Sequence, residues 1–572
     1  MPTGSTPGDS PVGPRERCEE EGCAGARVEG VHCLEHVTAA EFDAAVMRLR
    51  GGEPVDARAI TITTQRLQAL LDALKDAAGR AVLPVVRFAG ATFSSDVSFS
   101  GATFSDADFS GATFNGKADF GGATFSGPAR FCDVTFSDEA GFATTTFSGQ
   151  ANFARAIFSG QAREARFSRA IFNGNAEFVG AIFSGYANFA RATFSGDADF
   201  VQATFSSYAN FDGASFTGDA EFYEATVSAD AQFTRASFAR ARQIGPLIVG
   251  LSLVLDGCVF AERVSIEVAA TVVSARSTKF AAGAHIHVRW AEVALHEADF
   301  ARSSTLSAAR AWDARSDLTS RTTEHEPRPR LVTLRGAHVA ELSLSDVDLR
   351  ACRFFGAHGL ESLSIEATCT WPHTPPTHRY SDRETIAEEH DWRGSSWEHP
   401  TTQPQVWAVV RDGPSQLYPP QIAALYRGLR KAREDDKDQA GAGDLYYGEM
   451  EMRRRAALPE RGKRGRLRAQ SDRAILTAYW LLAGYGLKAS RAFIALLTII
   501  LVASFGLQAW GFTLDASYTR ALLYSIESTS SLFRVPNAPG LEITYAGEAG
   551  LTNPEGALWK RFPDPASTSG PR

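Results

Sequence analysis

Residues 187–216 read ANFARATFSGDADFVQATFSSYANFDGASF, with phenylalanine at 189, 194, 200, 205, 211 and 216. The gaps alternate between five and six residues, an 11-residue period, and alanine stands two positions ahead of each ring, at 187, 192, 198, 203, 209 and 214. In an extended chain residues i and i+2 point to the same side, so each Ala-x-Phe triplet offers one small and one large apolar group to one face. The residue between them, Asn, Thr, Asp or Ser, points the other way, and the Ser, Gly and Asp between triplets are turn formers. Units this short cannot hold a strand and a hairpin, and their spacing is far from the 3.6-residue helical period. The reading that remains is a solenoid: each unit makes one short side of a coil and stacks its ring on the next coil.

The same rhythm extends outward from Phe88 to Phe238, a stretch that holds 27 of the chain's 38 phenylalanines, with Val227 in place of one ring. The pattern resembles the pentapeptide-repeat family, which implies a mainly β fold, a right-handed quadrilateral β-helix with four units to a coil. The 28 centres would then give about seven coils, on the order of 30–35 Å long at a strand spacing of ~4.8 Å. The six-residue gaps should widen alternate corners. The segment QAREAR (161–166) breaks the phase and is expected as a loop extruded from one corner. From 242 to 366 the regularity fades, but the repeat is expected to continue with aliphatic centres. Cys258 and Cys352 then take the small inward position and read as core.

Around this array, 572 residues are too many for one core at ~150 residues per domain, so the chain must be modular or elongated. The net charge of −8 argues against a whole-chain electrostatic binder of nucleic acid, and nucleic acid is not expected as a partner. Between 88 and 240 sixteen Asp/Glu face nine Lys/Arg. Some relatives imitate duplex DNA for topoisomerases, but this excess is sparse beside one DNA charge per ~1.7 Å, so mimicry is the weaker option.

Residues 1–17, rich in Pro, Gly, Ser and Thr, are expected to be disordered. They lead into CEEEGCAGARVEGVHCLEH, where Cys18, Cys23, Cys33 and His36 fall in the order C-x4-C-x9-C-x2-H. Three thiolates and an imidazole form a complete tetrahedral set for zinc and leave no open position, so a structural zinc knuckle is expected over 18–37, with His32 as an alternative to His36. It is similar to small CCCH knuckles, with a looser first spacing. The seven cysteines do not have the look of a secreted disulfide framework. Residues 38–85, with Phe42, Val46, Leu49 and then Leu67, Leu70, Leu71 and Leu74 at helical spacing, are expected to form a helical cap.

Segment 367–420 reads as a Pro/Trp/His-rich connector. Its histidines, among them His373 and His390, match no ligand spacing. Glu384, Glu388 and Glu389 in RETIAEEHDWR read as a surface helix in preference to an acid/base pair, and no constellation for an enzyme stands nearby. Residues 421–491 are expected as helices with a basic juxtamembrane run, Arg453, Arg454, Arg455, Arg461, Lys463, Arg464, Arg466 and Arg468, joined by Lys488 and Arg491. Residues 492–512 are twenty-one in number without a charge, long enough to cross a ~30 Å hydrocarbon core. The Lys/Arg excess ahead of this span places the N-terminal bulk in the cytoplasm and the 513–572 tail outside. The preceding YWLLAGYGLKAS is expected to lie along the membrane surface.

The order of solenoid, LYRGLR, DLYYGEMEMRR, YWLLAGYGL and span is similar to actinobacterial-type membrane proteins with pentapeptide repeats. Some of these carry a potassium-channel-like pore. Here ALLYSIESTSSLF, with Ser528, Thr529, Ser530 and Ser531, stands where a pore helix would, but neither a TVGYG-like filter nor a second span follows. The function expected is a non-catalytic, membrane-anchored scaffold that contacts lipid and an unidentified protein. The alternative is a channel-like subunit of a homo-oligomer.

Overall fold

The computed structural model describes residues 17–28, 32–160, 164–309, 328–374, 383–393, 417–456 and 463–510, and five residues between 518 and 526. They fall into two compact units, residues 1–446 and 447–572, which are taken in turn.

The first unit is built on a parallel β-solenoid of about 12 turns. Most strands in the Phe array are two residues long, and each pairs in parallel with its counterpart one turn on: Thr113–Phe114 with Thr135–Phe136, and that pair with Ile157–Phe158. The shift is 22 residues, two 11-residue periods, so four units make one turn as the family resemblance implied. The pairings form four columns; the longer strand Thr103–Asp108 runs round a corner and joins two of them into one sheet. One column takes seven strands from the Phe array, from Thr92–Phe93 to Thr226–Val227, matching the seven coils expected. The 11-residue period also sorts the outer surface. Within the Phe array two opposite columns present Thr, Ile or Ser ahead of the inward ring or Val227, whereas the other two present mainly Asp, Asn or Glu.

Inside, rings one turn apart lie face to face, Phe189 over Phe211 at 5.0 Å and Phe194 over Phe216 at 4.8 Å with interplanar angles of 6° and 1°. Rings from different columns meet edge-on, as Phe189 and Phe200 do at 5.4 Å and 88°. The phenylalanines and their alanines are almost wholly buried. Full burial of one ring stabilises by roughly 1.5–3 kcal/mol, an upper figure, and a well-placed aromatic pair adds ~0.5–1.5 kcal/mol.

The two corner types solve the turn differently. At five-residue corners the amide of the next inward alanine closes a β-turn on the Phe carbonyl, as Ala192 does on Phe189 at 3.0 Å, with a positive φ of 56° at Arg191. Glycine fills that position at 90, 101, 111, 122, 180 and 213, and Asp, Thr, Arg, Gln or Glu fills it at the other corners of the array. At six-residue corners glycines stack directly on the preceding turn: a Cβ on Gly196 would lie 2.6 Å from the carbonyl carbon of Gly174, and one on Gly218 only 2.3 Å from the carbonyl oxygen of Gly196.

The phase break is narrower than QAREAR. Residues 161–163 lie outside the described residues, and Glu164–Arg166 is already a strand, paired with Ala140–Gly141 and Tyr186–Asn188. The extra length appears as a 25-residue step from Ile157 to Ile182. Beyond 242 the solenoid continues through Gln243–Val249, Val264–Ala269, Ala284–Arg289, Ser304–Ala308, Leu342–Ser345 and Ser364–Ile365, at first with steps shortened to 20 residues, as from Val268 to Val288. Most centres are aliphatic, but one column keeps its rings, Phe260, Phe280 and Phe300, stacked at 5.3 and 5.1 Å. Cys258 and Cys352 are fully buried at the small inward position, and the Cys258 thiol donates to the Phe233 carbonyl.

Both ends are closed. The helices Ala39–Arg50 and Thr64–Ala73 bury Phe42, Val46, Leu49, Leu67, Leu70 and Leu71 at the N-terminal end. At the other end the expectation of a surface helix is corrected. In the helix Ala387–Arg393, Glu388, Glu389 and His390 are buried, because its carboxylates satisfy groups that the last turn leaves unpaired. Glu388 accepts from the amides of Phe354 and Phe355, and Asp436, just past the helix Pro419–Asp435, accepts from Ile365 at 3.0 Å. Glu389 is held by Arg383, Arg393 and the Tyr426 hydroxyl.

Phe200→Ala should cost ~3–5 kcal/mol in urea unfolding, since neighbouring turns cannot close over the gap. Gly196→Ala should also lower the unfolding midpoint, whereas exposed Ser195→Ala on the same corner should stay within ~0.5 kcal/mol of the parent. Burial pushes Glu388 up to about 7, although the amides it accepts from oppose the shift. Burial also works against charge on Glu389, but Arg383 and Arg393 outweigh it and bring that group down to about 2. The Glu388 contribution is therefore present at acid pH and lost as pH rises from the usual 4.5 through about 7. That of Glu389 is lost as pH falls from 4.5 through about 2. Hydrogen exchange at Phe354 and Phe355 should follow the first limb, and Glu388→Gln should flatten it while leaving the second.

Candidate metal centre and helical unit

The knuckle is made by two tight turns. The amide of Cys18 bonds the Gly25 carbonyl at 2.9 Å beside an Arg17–Ala26 bridge, and the amide of His36 bonds the Cys33 carbonyl at 3.0 Å. Gly22 takes a φ of 83° between the first two cysteines, and Gly25 packs so tightly that a Cβ would sit 2.3 Å from Cγ2 of Ile60. These turns bring Cys18, Cys23, Cys33 and His36 together, with all four ligand atoms within 4.8 Å of one another. Cys23 and Cys33 are 3.7 Å apart at sulfur, and His36 Nδ1 lies 3.5 Å from Cys18 and 3.3 Å from Cys33. Bonds of ~2.3 Å to sulfur and ~2.0–2.1 Å to nitrogen at tetrahedral angles place ligand atoms ~3.5–3.8 Å apart, so the set could hold a tetrahedral metal ion.

His32 is engaged elsewhere. Its Nδ1 meets Glu41 at 3.2 Å, and the Glu41 carboxylate also caps the helix Ala39–Arg50 together with Thr38. Among the described residues the Cys/His set alone gathers such ligands. His390 bonds Thr385 at 2.7 Å, and His373 lies in a bridge opposite Glu384. Burial pushes the Cys33 thiol up to about 12. At Cys18 burial acts in the same direction, but amide hydrogen bonds and His36 outweigh it and bring the thiol down to about 7. The knuckle is tied to the solenoid: Leu34 and Val37 are buried, Arg66 bonds the Val37 carbonyl at 3.0 Å, and Glu35 accepts from the Thr61 amide at 3.1 Å. Thr61–Ile62 is the first strand of the column that runs on through Thr92–Phe93.

The second unit holds the basic run. Arg453 pairs with Glu449 at 2.6 Å, and Arg454 and Arg455 pair with Glu451 at 2.9 and 3.0 Å. Arg461, and the side chains of Lys463, Arg464, Arg466 and Arg468, lie outside the described residues. Lys488 and Arg491 stand at the start of the helix Ala489–Trp510, where Arg491 lies over the Trp480 ring at 5.2 Å. Over Ala489–Gly506 this helix has a mean hydropathy of 1.9 and is only 6% buried, so it is long and apolar enough to cross a membrane. Ser528, Thr529, Ser530 and Ser531, where a pore helix was sought, lie outside the described residues.

A profile of pentapeptide repeats, nine copies in all, matches residues 85–124, 142–189 and 178–226. The array within residues 85–226 is built of pentapeptide repeats. The fold of the chain is similar to the crystal structure of HetL, a pentapeptide repeat protein involved in heterocyst differentiation regulation from the cyanobacterium Nostoc sp. strain PCC 7120, at 12% identity over 58% of this chain and 95% of that one. The TM-score of that match is 0.12. Comparison with curated proteins gives no match.

Sequence reasoning missed the C-terminal cap of the pentapeptide-repeat solenoid. Glu384, weighed as an acid/base group, is paired with Arg433 at 2.9 Å, and Arg433 lies over the Trp371 ring at 4.9 Å. The available signal was the run of ionisable residues in RETIAEEHDWR beside Pro and Trp, a composition that suits a buried, fully paired network as well as a surface.

Proposed function

We propose that this chain is a non-catalytic scaffold whose capped solenoid offers its outer faces to a protein partner while one helix holds it to the cell membrane. The observation that carries the reading is the division between inside and outside. The rings are consumed by the core, the ends are closed by carboxylates and helices, and two pairs of opposite faces are left with distinct chemistry. A repeated flat surface of this kind suits protein contact.

The membrane part rests on Ala489–Gly506, where Phe493, Ile494, Val502 and Phe505 are each more than 60% exposed. Lys488 and Arg491 at the start of the span favour a cytoplasmic N-terminal bulk. For the metal, three sulfurs and one imidazole nitrogen at these separations suit Zn²⁺, which takes soft ligands in a closed tetrahedral site. The ion would be structural, held by Cys18, Cys23, Cys33 and His36.

Metal analysis of the purified full chain should give one zinc per chain, and Cys33→Ser should lose it; a metal-free parent would end the zinc reading. Chelation should also raise hydrogen exchange at Thr61, whose amide the knuckle covers, and leave exchange at Phe200 unchanged. Alkaline carbonate extraction of cell membranes should leave the tagged chain in the pellet, and its release into the supernatant would end the anchor.

A further inference from the structure

The joint between the last two long helices carries a surface that the span does not explain. The helix Lys463–Ala483 changes character along its length: charged residues recur up to Arg473, and from Ala474 to Leu487 none occurs. Within that stretch Ile475, Tyr479 and Leu482 stand at i, i+4 and i+7 on one face, 66, 39 and 50% exposed, and Leu487 beyond the turn is 47% exposed.

The side that carries Trp480 is occupied, while Leu481, between it and the stripe, is 59% exposed. Trp480 donates from Nε1 to the Tyr447 hydroxyl at 2.7 Å, and its ring lies under Arg454 at 4.7 Å and Arg491 at 5.2 Å. The turn is fixed as well. Gly484, Tyr485 and Gly486 all take positive φ, and Tyr485, 1% exposed, packs its ring against Tyr447 and Tyr479 while its hydroxyl reaches Glu451 at 3.3 Å. Tyr479 thus stands at the edge of this cluster, and Ile475, Leu482 and Leu487 face outward.

We propose that Ile475, Tyr479, Leu482 and Leu487 rest on the lipid of the bilayer, so that the last two turns of this helix sit in the membrane interface beside the span. The inference rests on the reading of Ala489–Trp510 as that span. Two observations favour lipid over a protein surface. Past the turn and its two cations the stripe is followed by a helix whose apolar residues are exposed all round, whereas a single protein partner would cover one face. The cations Lys488 and Arg491 fall at the joint, at the level where headgroup phosphates would lie. The sequence suggested that the whole of YWLLAGYGLKAS lies along the surface. The structure instead starts the contact at Ile475 and turns Trp480 inward, and the lengthwise change from charged to apolar tilts the helix into the interface in place of laying it flat.

The test uses the full chain in vesicles of phosphatidylcholine and phosphatidylglycerol, with an environment-sensitive fluorescent amino acid at position 482 or, as a control, at 472. At 482 the emission should shift to shorter wavelength, be quenched by lipids with a nitroxide high on the acyl chain, and lose quenching by aqueous iodide; at 472 iodide should quench. Iodide quenching at 482 in chains that resist carbonate extraction would overturn this inference and leave the span intact, whereas release by carbonate would overturn both. Shielding at 482 that disappears as the lipid-to-protein ratio is raised would assign the stripe to a second copy and also overturn it.

Discussion

Face-to-face stacking of phenylalanine rings one turn apart is the interaction on which the rest of the first unit depends. It holds only if every turn returns the chain to the same register, and the 22-residue step does this through most of the Phe array. The corners follow from that demand. A turn only four short sides long must reverse direction within a few residues, so positive φ recurs at one corner type and glycine against backbone at the other. Where non-glycine residues such as Arg155, Arg191 and Glu224 accept positive φ, the cost of roughly 1–2 kcal/mol each is smaller than the gain from keeping the rings aligned.

A solenoid solves its interior by repetition but leaves two ends whose strands have unpaired backbone groups. At the C-terminal end Glu388 and Asp436 take the amides of Phe354, Phe355 and Ile365, doing with side chains what a further turn would have done with carbonyls. These groups therefore had to be buried, and burial explains both the raised Glu388 and the dense pairing of Glu389 with arginines. At the N-terminal end the task falls to two helices and a cysteine-rich knuckle that has little core of its own. An ion gathering its four ligands would make the knuckle's grip on Thr61 dependent on metal.

The second unit follows different physics. Arg453, Arg454 and Arg455 are paired within their own helix, so charge alone does not describe what that region meets. Its apolar surface, by contrast, is outward, and the cluster of Tyr447, Trp480 and Tyr485 with Arg454 and Arg491 fixes which side of the preceding helix remains free.

Much of this architecture was legible in the sequence, because repetition turns a weak local signal into a strong one. The alternation of five and six with alanine two before each ring is satisfied by little other than a stacked coil, and the four candidate metal ligands stand in ligand order along the chain. The sequence by itself thus determined the interior of the solenoid, the turn count of its Phe array, the three cysteines of the candidate metal centre and the apolar helix. Only the tertiary structure decided between His32 and His36, since that choice turns on the position of Glu41, and only it showed Glu388 and Glu389 to be buried, since their partners lie 33 to 37 residues away or within a neighbouring turn. It alone turned Trp480 inward and left Ile475, Tyr479 and Leu482 outward. The physical reason is common to all three: periodicity records which side of an element is apolar, whereas the partner of a single polar or aromatic group depends on distances between segments that no local pattern encodes.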